Sequence, residues 1–252
     1  MTSNIEYSRT GHIGRLLLNN PARHNSLGAQ ELEAIQDFLE GVATDSQVRV
    51  LVVTGAGNQT FCAGADLSEL GAGEISGESF QKTTNQLASL AIPTICALNG
   101  SVFGGGVELA LSCDFRIGVE GSCMRVPAAA IGLCYPLEGI NRFVERLGVN
   151  LAKRILVAAE EFDGEEMLQT GFLDSLVLPR QLNESSEALA QRIASLAPLA
   201  VQAMKQILQQ SAAGSVDREW AGQLSARCLS SEDLQEGFSA KREKRAPRFK
   251  GK

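Results

Sequence analysis

Two histidines, His12 and His24, are all the chain has, and both lie beside Gly or Asn in turn-like stretches near its start. That scarcity excludes a His-rich metal centre and argues against a Ser-His-Asp hydrolase. Aromatic residues are 5% of the chain, with a single Trp220, too few for base-stacking platforms, so nucleic acid is not an expected partner. The six cysteines, at 62, 96, 113, 123, 134 and 228, form no CxxC pair and read as scattered, mostly buried thiols of a reducing compartment. No apolar run approaches the roughly 18 residues of a membrane span, and Met1 to Thr10 carries no secretory signal. A soluble, cytoplasmic protein is expected. Neither GxGxxG nor GxxxxGK[ST] follows any predicted strand, so nucleotide binding of the Rossmann or P-loop kind is not indicated.

What is present is a chain of 252 residues, 44% hydrophobic and 21% charged, with a net charge of -6. It is long enough for one large domain or two small ones, and needs neither disulfide nor metal to fold. Charge is uneven: residues 241 to 252 (KREKRAPRFKGK) hold seven basic side chains and one acidic, leaving the remainder acidic. Such a tail reads as a solvated terminus or as an arm for phosphates.

A hairpin (IEYSR, RLLLN) leads into an amphipathic helix (GAQELEAIQDFLEGVA). RVLVVTG, TICALNG and FRIGV are β-branched runs separated by helical or turn-rich segments, as in an α/β fold with mostly parallel strands. Gly71 to Ser79 (GAGEISGES) reads as a flexible connection. From Leu137 the pattern is mainly helical, with Gly148 as a C-cap, Asp163-Gly164 and Gly171 bracketing a short helix, and Pro198 opening another. Residues 1–190 are expected to form the core, and 191–252 a helical region suited to packing on a partner.

Two strand-end turns stand out. In FCAGADL (Phe61 to Leu67) small residues precede Asp66; in NGSVFGGGVELALSCD three glycines run into a helix. Small residues let a ligand approach the backbone, and a helix start leaves N–H groups unpaired, so each turn is a candidate donor site for an oxyanion. Alone, either could serve strand–helix packing. Glu108, in the first turn after the glycines, is either a capping residue or a general base beside those donors.

The segments PARHNSL, LVVTGAGNQTFCAGADL, NGSVFGGGVELALSCDFRI and EGFSAKREKRAPRFKGK together resemble the crotonase (enoyl-CoA hydratase/isomerase) superfamily across essentially the whole chain. The resemblance implies a crotonase-like superhelix of repeated ββα units, with a C-terminal helical region that forms homotrimers or dimers of trimers. It also implies an acyl-CoA thioester substrate, with CoA carried by the substrate and no separate cofactor or metal. Carried over residue by residue, the oxyanion hole falls on the N–H groups of Ala65 and Gly105. The CoA site falls on Arg23, Ala63, Ala65, Asp66, Leu67 and Ser68, with Lys244 reaching CoA phosphates from a neighbouring subunit, and Glu108 becomes the catalytic carboxyl.

Where hydratases of this family carry a second glutamate, after Pro127, this chain has Ala128. Half of the hydration dyad is absent. Tyr135 and Glu138, in LCYPLEG, are the candidate substitutes: Tyr135 to orient a departing carboxylate or donate a proton, Glu138 to supply the lost acid. Structural roles, a packed ring and a first-turn carboxylate, are the alternatives for both. The expected activity is that of an acyl-CoA lyase, enoyl-CoA hydration or dehydration, as in fatty acid metabolism. The alternatives are a decarboxylase or isomerase of the same fold, or a catalytically silent relative that binds CoA esters or RNA.

Overall fold

The computed structural model describes residues 4–252; Met1 to Ser3, the start of the stretch read above for a secretory signal, lie outside it. Strands β1 (Ile5–Thr10) and β2 (Ile13–Leu18) pair antiparallel with Thr10 opposite Ile13, leaving Gly11 and His12 as a two-residue turn. Helix α1 (Ala29–Thr44) buries Leu32, Ile35, Leu39 and Val42, the one-sided stripe its sequence spacing predicts.

Three strand–strand units follow. The first is β3 (Val50–Gly55) and β4 (Thr60–Cys62), then α2 (Leu67–Ala72) and α3 (Gly77–Ser89). The second is β5 (Thr94–Ala97) and β6 (Ser101–Phe103), then α4 (Gly105–Leu111); the third is β7 (Phe115–Val119) and β8 (Cys123–Arg125). The chain continues through α5 (Leu137–Leu156), β9 (Glu161–Asp163), α6 (Gly164–Gln169), β10 (Ser175–Val177) and α7 (Leu182–Ala194). It ends in α8 (Pro198–Ala212), α9 (Arg218–Leu229) and α10 (Glu232–Glu243).

The first strand of each unit joins one sheet, ordered β1-β2-β3-β5-β7-β10; the second strand joins another, ordered β4-β6-β8-β9. Pairing is parallel except for β1 with β2 and β8 with β9. This is the repeated ββα arrangement that the resemblance implies. The uninterrupted apolar run of β3 is explained by two cores: Leu51 and Val53 enter the larger one, while Val50 and Val52 face a second, shared with Leu182, Ala190 and Ile193 of α7. A division at residue 190 falls inside α7.

Four local features differ from, or sharpen, the sequence reading. The second sheet is invisible to residue periodicity, because strands of three residues are too short to show a period. The stretch 71–79 is not one loose connection: α2 and α3 take both its ends, Ile75 is buried between them, and the Ser76 hydroxyl accepts from the Ser79 N–H at 3.1 Å. Gly148, with φ 77° and ψ 156°, breaks α5 into two helices, as a C-cap glycine would. The basic tail is exposed but not frayed. The buried Asp233 carboxylate accepts the N–H groups of Lys250 (2.6 Å) and Gly251 (2.8 Å), and Glu236 holds the Arg245 guanidinium at 2.6 Å.

All six cysteines are free; Cys62, Cys96 and Cys113 are buried. Among the described residues no helix is long and apolar enough to cross a membrane, and no three metal-ligating side chains cluster.

Candidate active site

The two glycine-bearing turns, one after β4 and one after β6, lie against each other. Gly64 (φ +87°) is so close to the other turn that a Cβ there would overlap the Gly105 amide nitrogen and stand 3.0 Å from the Gly105 Cα. Only glycine fits both that dihedral angle and that gap. The preceding turn is pinned by Leu27, whose N–H donates to the Gly64 carbonyl at 2.8 Å and whose carbonyl accepts from Asp66 at 2.9 Å. Among the described residues, those bonds leave the intervening Ala65 N–H without a partner, and the Gly105 N–H, in the first turn of α4, has none either. Two free donors thus sit on neighbouring strands of backbone.

Helix α4 is buried from Gly106 to Leu111, and within it Glu108 is 1% exposed. A carboxylate so placed must be paired. Its Oε1 accepts three bonds: from Gln81 Nε2 at 2.6 Å, Thr84 Oγ1 at 3.0 Å and Arg142 Nη1 at 3.0 Å. Its Oε2 accepts none among the described residues. One oxygen is therefore fixed and the other is available. The N-terminus of α5 closes on this group through Gly139, where a Cβ would come within 3.1 Å of Oε2, 3.0 Å of Gln81 Nε2 and 3.1 Å of the Tyr135 ring.

Tyr135 belongs to this cluster. Its ring packs edge-on against Phe143 at 5.8 Å. Burial, and secondarily the charge of Glu108, raise its phenol above its ordinary value, so it is present as a protonated donor. Glu138 does not join it: it is exposed and hydrogen-bonds to none of these residues. It lines a cleft of about 940 Å³ together with Asn85, Asn141, Arg142 and Glu145. Arg142 touches both the cleft and Glu108, and its second nitrogen donates to Asn85 Oδ1 at 2.7 Å. Ala128 is buried in the larger core and offers only a methyl group.

Asp66 points inward. It caps α2, accepting from Ser68 N–H at 3.0 Å and Glu69 N–H at 3.2 Å, and it pairs with Arg23 and the Ser26 hydroxyl. Burial would raise its carboxyl; the Glu69 amide, Arg23, the Ser68 amide and Ser26 outweigh that and hold it below the usual range. Leu67 and Ser68 are exposed beside it, Ala63 is half-buried, and Lys244 stands exposed at the C-cap of α10. Cys62, below the turn, is pushed up to about 12 by burial and is no thiolate nucleophile.

Gln81, Thr84 and Arg142 are functional neighbours that the sequence reading missed. A signal existed for the first two: α3 buries Phe80, Gln81, Thr83, Thr84 and Leu87, so polar residues occupy a stripe where apolar ones belong.

Residues 8–252 match the family model described as enoyl-CoA hydratase/isomerase. The chain is 30% identical over 250 residues to a short-chain-enoyl-CoA hydratase of Clostridium acetobutylicum, covering 96% of each. It is 33% identical over 256 residues to a 2,3-dehydroadipyl-CoA hydratase of Escherichia coli, covering 99% of this chain and all of the relative. A crystal structure of an enoyl-CoA hydratase from Bacillus anthracis superposes with a TM-score of 0.91 at 31% identity, over 99% of this chain and 100% of that one.

Proposed function

Because the chain belongs to the enoyl-CoA hydratase/isomerase family and is an enzyme of that family, we propose that it adds water reversibly to a 2-enoyl-CoA with a single carboxyl, Glu108, doing both proton transfers. In this reading the thioester carbonyl accepts from the Ala65 and Gly105 N–H groups. Glu108 Oε2 takes a proton from water as the water oxygen bonds to C3, and the C2=C3 electron pair moves onto the thioester oxygen as an enolate. The same carboxyl then returns its proton to C2, giving the 3-hydroxyacyl-CoA with every atom accounted for. The two amides carry the charge, each worth about 2.7–4 kcal/mol where such donors have been removed.

The observation that carries this reading is the asymmetry of Glu108: one oxygen held by three donors and the other open. Pinning Oε1 fixes the direction of Oε2, and a proton carrier needs a fixed direction. Glu108→Gln is expected to lower turnover by about 10²–10⁴-fold while leaving binding of a CoA ester nearly intact. Unchanged turnover removes Glu108 from the mechanism. Mass spectrometry of products from a panel of CoA thioesters fixes the reaction: gain of one water is expected, and loss of carbon dioxide or no mass change contradicts hydration.

A second reading, decarboxylation of a malonyl-type CoA ester, is favoured by Tyr135, a protonated donor beside Glu108. Against it, the buried Glu108 carboxylate would stand next to the departing carboxylate and repel it. The site takes CoA from Ala63, Ala65, Leu67 and Ser68, with Arg23 and Asp66 shaping the wall. Met204, Leu208, Leu229 and Phe238, all exposed, suit a C-terminal region that packs in a homotrimer or dimer of trimers, bringing Lys244 to a neighbour's CoA phosphates. A cytoplasmic setting, with reduced cysteines, agrees with this chemistry.

A further inference from the structure

Glu108 is gripped from two helices. Gln81 and Thr84, its donors on α3, lie three residues apart, and Asn85, four residues after Gln81, shares their face. Asn85 does not bond to the carboxyl. Its Oδ1 accepts instead from Arg142 Nη2 at 2.7 Å, while Arg142 Nη1 donates to Glu108 Oε1 at 3.0 Å. The guanidinium is planar and rigid, so fixing one nitrogen fixes the other. A stripe of three polar residues on one helix thus serves a single carboxyl, two directly and one through the arginine.

The sequence of α5 gives Arg142 other choices. Glu138 stands four residues before it and Glu145 three after it, the spacings at which side chains on a helix pair, and a glutamate ahead of its cation is the stronger order. Both carboxylates are exposed, both line the cleft that Asn85 and Arg142 also line, and neither has a cationic partner among the described residues. Arg142 is nevertheless drawn inward, its side chain 11% exposed, to Glu108 and a neutral amide.

We propose that Asn85 is a positioning residue for the reaction: it holds Arg142 against Glu108 and away from Glu138 and Glu145. Without it the second nitrogen is free to leave for either carboxylate in the cleft, the plane of the guanidinium turns, and Glu108 Oε1 loses its one charged donor. Oε2 then loses the fixed direction that proton transfer needs. Asn85 itself moves no proton, and Glu138 and Glu145 are competitors for the arginine with no part in the chemistry. The kinetic consequence rests on the hydration reading; the placement of the arginine does not.

The test removes the holder and then the competitors. Asn85→Ala is expected to lower kcat for hydration of 2-enoyl-CoA esters by about tenfold, the worth of one hydrogen bond to a charged group, with KM unchanged within about twofold. Adding Glu138→Gln and Glu145→Gln to Asn85→Ala is expected to return kcat to within about threefold of the unaltered protein, because the cleft then holds neither competing carboxylate. The two glutamine changes alone are expected to leave kcat unchanged. A side chain that merely stabilised the fold would not be compensated by losses on another helix. In a crystal structure of Asn85→Ala the guanidinium is expected to turn toward Glu138 or Glu145.

If Asn85→Ala keeps its kcat, if it raises KM instead, or if the glutamine changes fail to restore it, the inference fails and the hydration reading stands. The same holds if the glutamine pair alone lowers kcat, or if Arg142 stays on Glu108 in the Asn85→Ala crystal. If the unaltered protein hydrates none of the esters, the hydration reading fails, and the position of Arg142 in that crystal still decides whether Asn85 holds it.

Discussion

The turns after β4 and β6 occupy equivalent places in successive ββα units and are held by opposite kinds of support. Each contains a glycine at positive φ, Gly64 at 87° and Gly104 at 52°, and each runs into a short helix. The helix after the first, α2, buries no residue; it is held by a polar clamp of Asp66, Arg23 and Ser26. The helix after the second, α4, is buried from Gly106 onward and held by packing. The ionisable group to which we assign the proton transfers, Glu108, is on the packed helix, where its partners are fixed and water cannot loosen them. A polar clamp centred on the buried Asp66 suffices for a turn from which the proposed chemistry asks only backbone.

The contrast is broken most severely at the point where the turns meet. In Gly64→Ala the new methyl meets main chain, and alanine resists a φ of +87°. We expect a stability loss of about 2–4 kcal/mol and a fall in kcat of about 10²–10³-fold as the Gly105 donor is displaced, read by urea unfolding and steady-state kinetics.

Gly105→Ala should cost less, because its Cβ would meet the Phe80 ring tip at 2.5 Å, and a side chain can yield where main chain cannot. About 1–3 kcal/mol is expected from the overpacking. Phe80→Leu in the same chain is expected to recover part of both stability and turnover. Equal damage with and without the second change would mean that the packed turn tolerates no relief.

The polar clamp gives the smallest effect. Asp66→Ala removes a helix cap worth about 1 kcal/mol and is expected to change kcat by less than about threefold. The pH dependence follows from the lowered carboxyl. The folded pKa lies below the value of about 3.9 for a free aspartate, so the contribution is complete above that value and is lost as pH falls through the folded pKa. The stability gap between the two proteins should be constant near neutrality and narrow below about pH 4. A gap that widened in acid would mean that Asp66 is not the ionised cap of α2.

How much of this was readable beforehand depends on what each residue does locally. The strands β3, β5 and β7 announce themselves because both faces are covered and the run is uniformly apolar. The hairpin and α1 follow from period alone. The approach of Gly64 to Gly105 depends on the crossover of successive units, which spacing does not contain; pairing Ala65 with Gly105 comes from the family resemblance alone. Glu108 was visible by its place after three glycines. Its anchors were not, because Gln81 and Thr84 lie 27 and 24 residues away and Arg142 lies 34 away, on helices whose packing no local pattern specifies. Glu138 shows the converse case. One residue from Gly139, it has the right chemistry in the right segment, but helical rotation turns it into the neighbouring cleft.

Arg49, just before β3, donates to the carbonyls of Ala194 at 3.2 Å and Phe249 at 2.7 Å. One guanidinium thus ties the central sheet to the end of α7 and to the residues that Asp233 secures. Heat finds no seam there along which the helical end could come away by itself. A calorimetric scan should trace a single cooperative peak, with the sheet and the last three helices lost together.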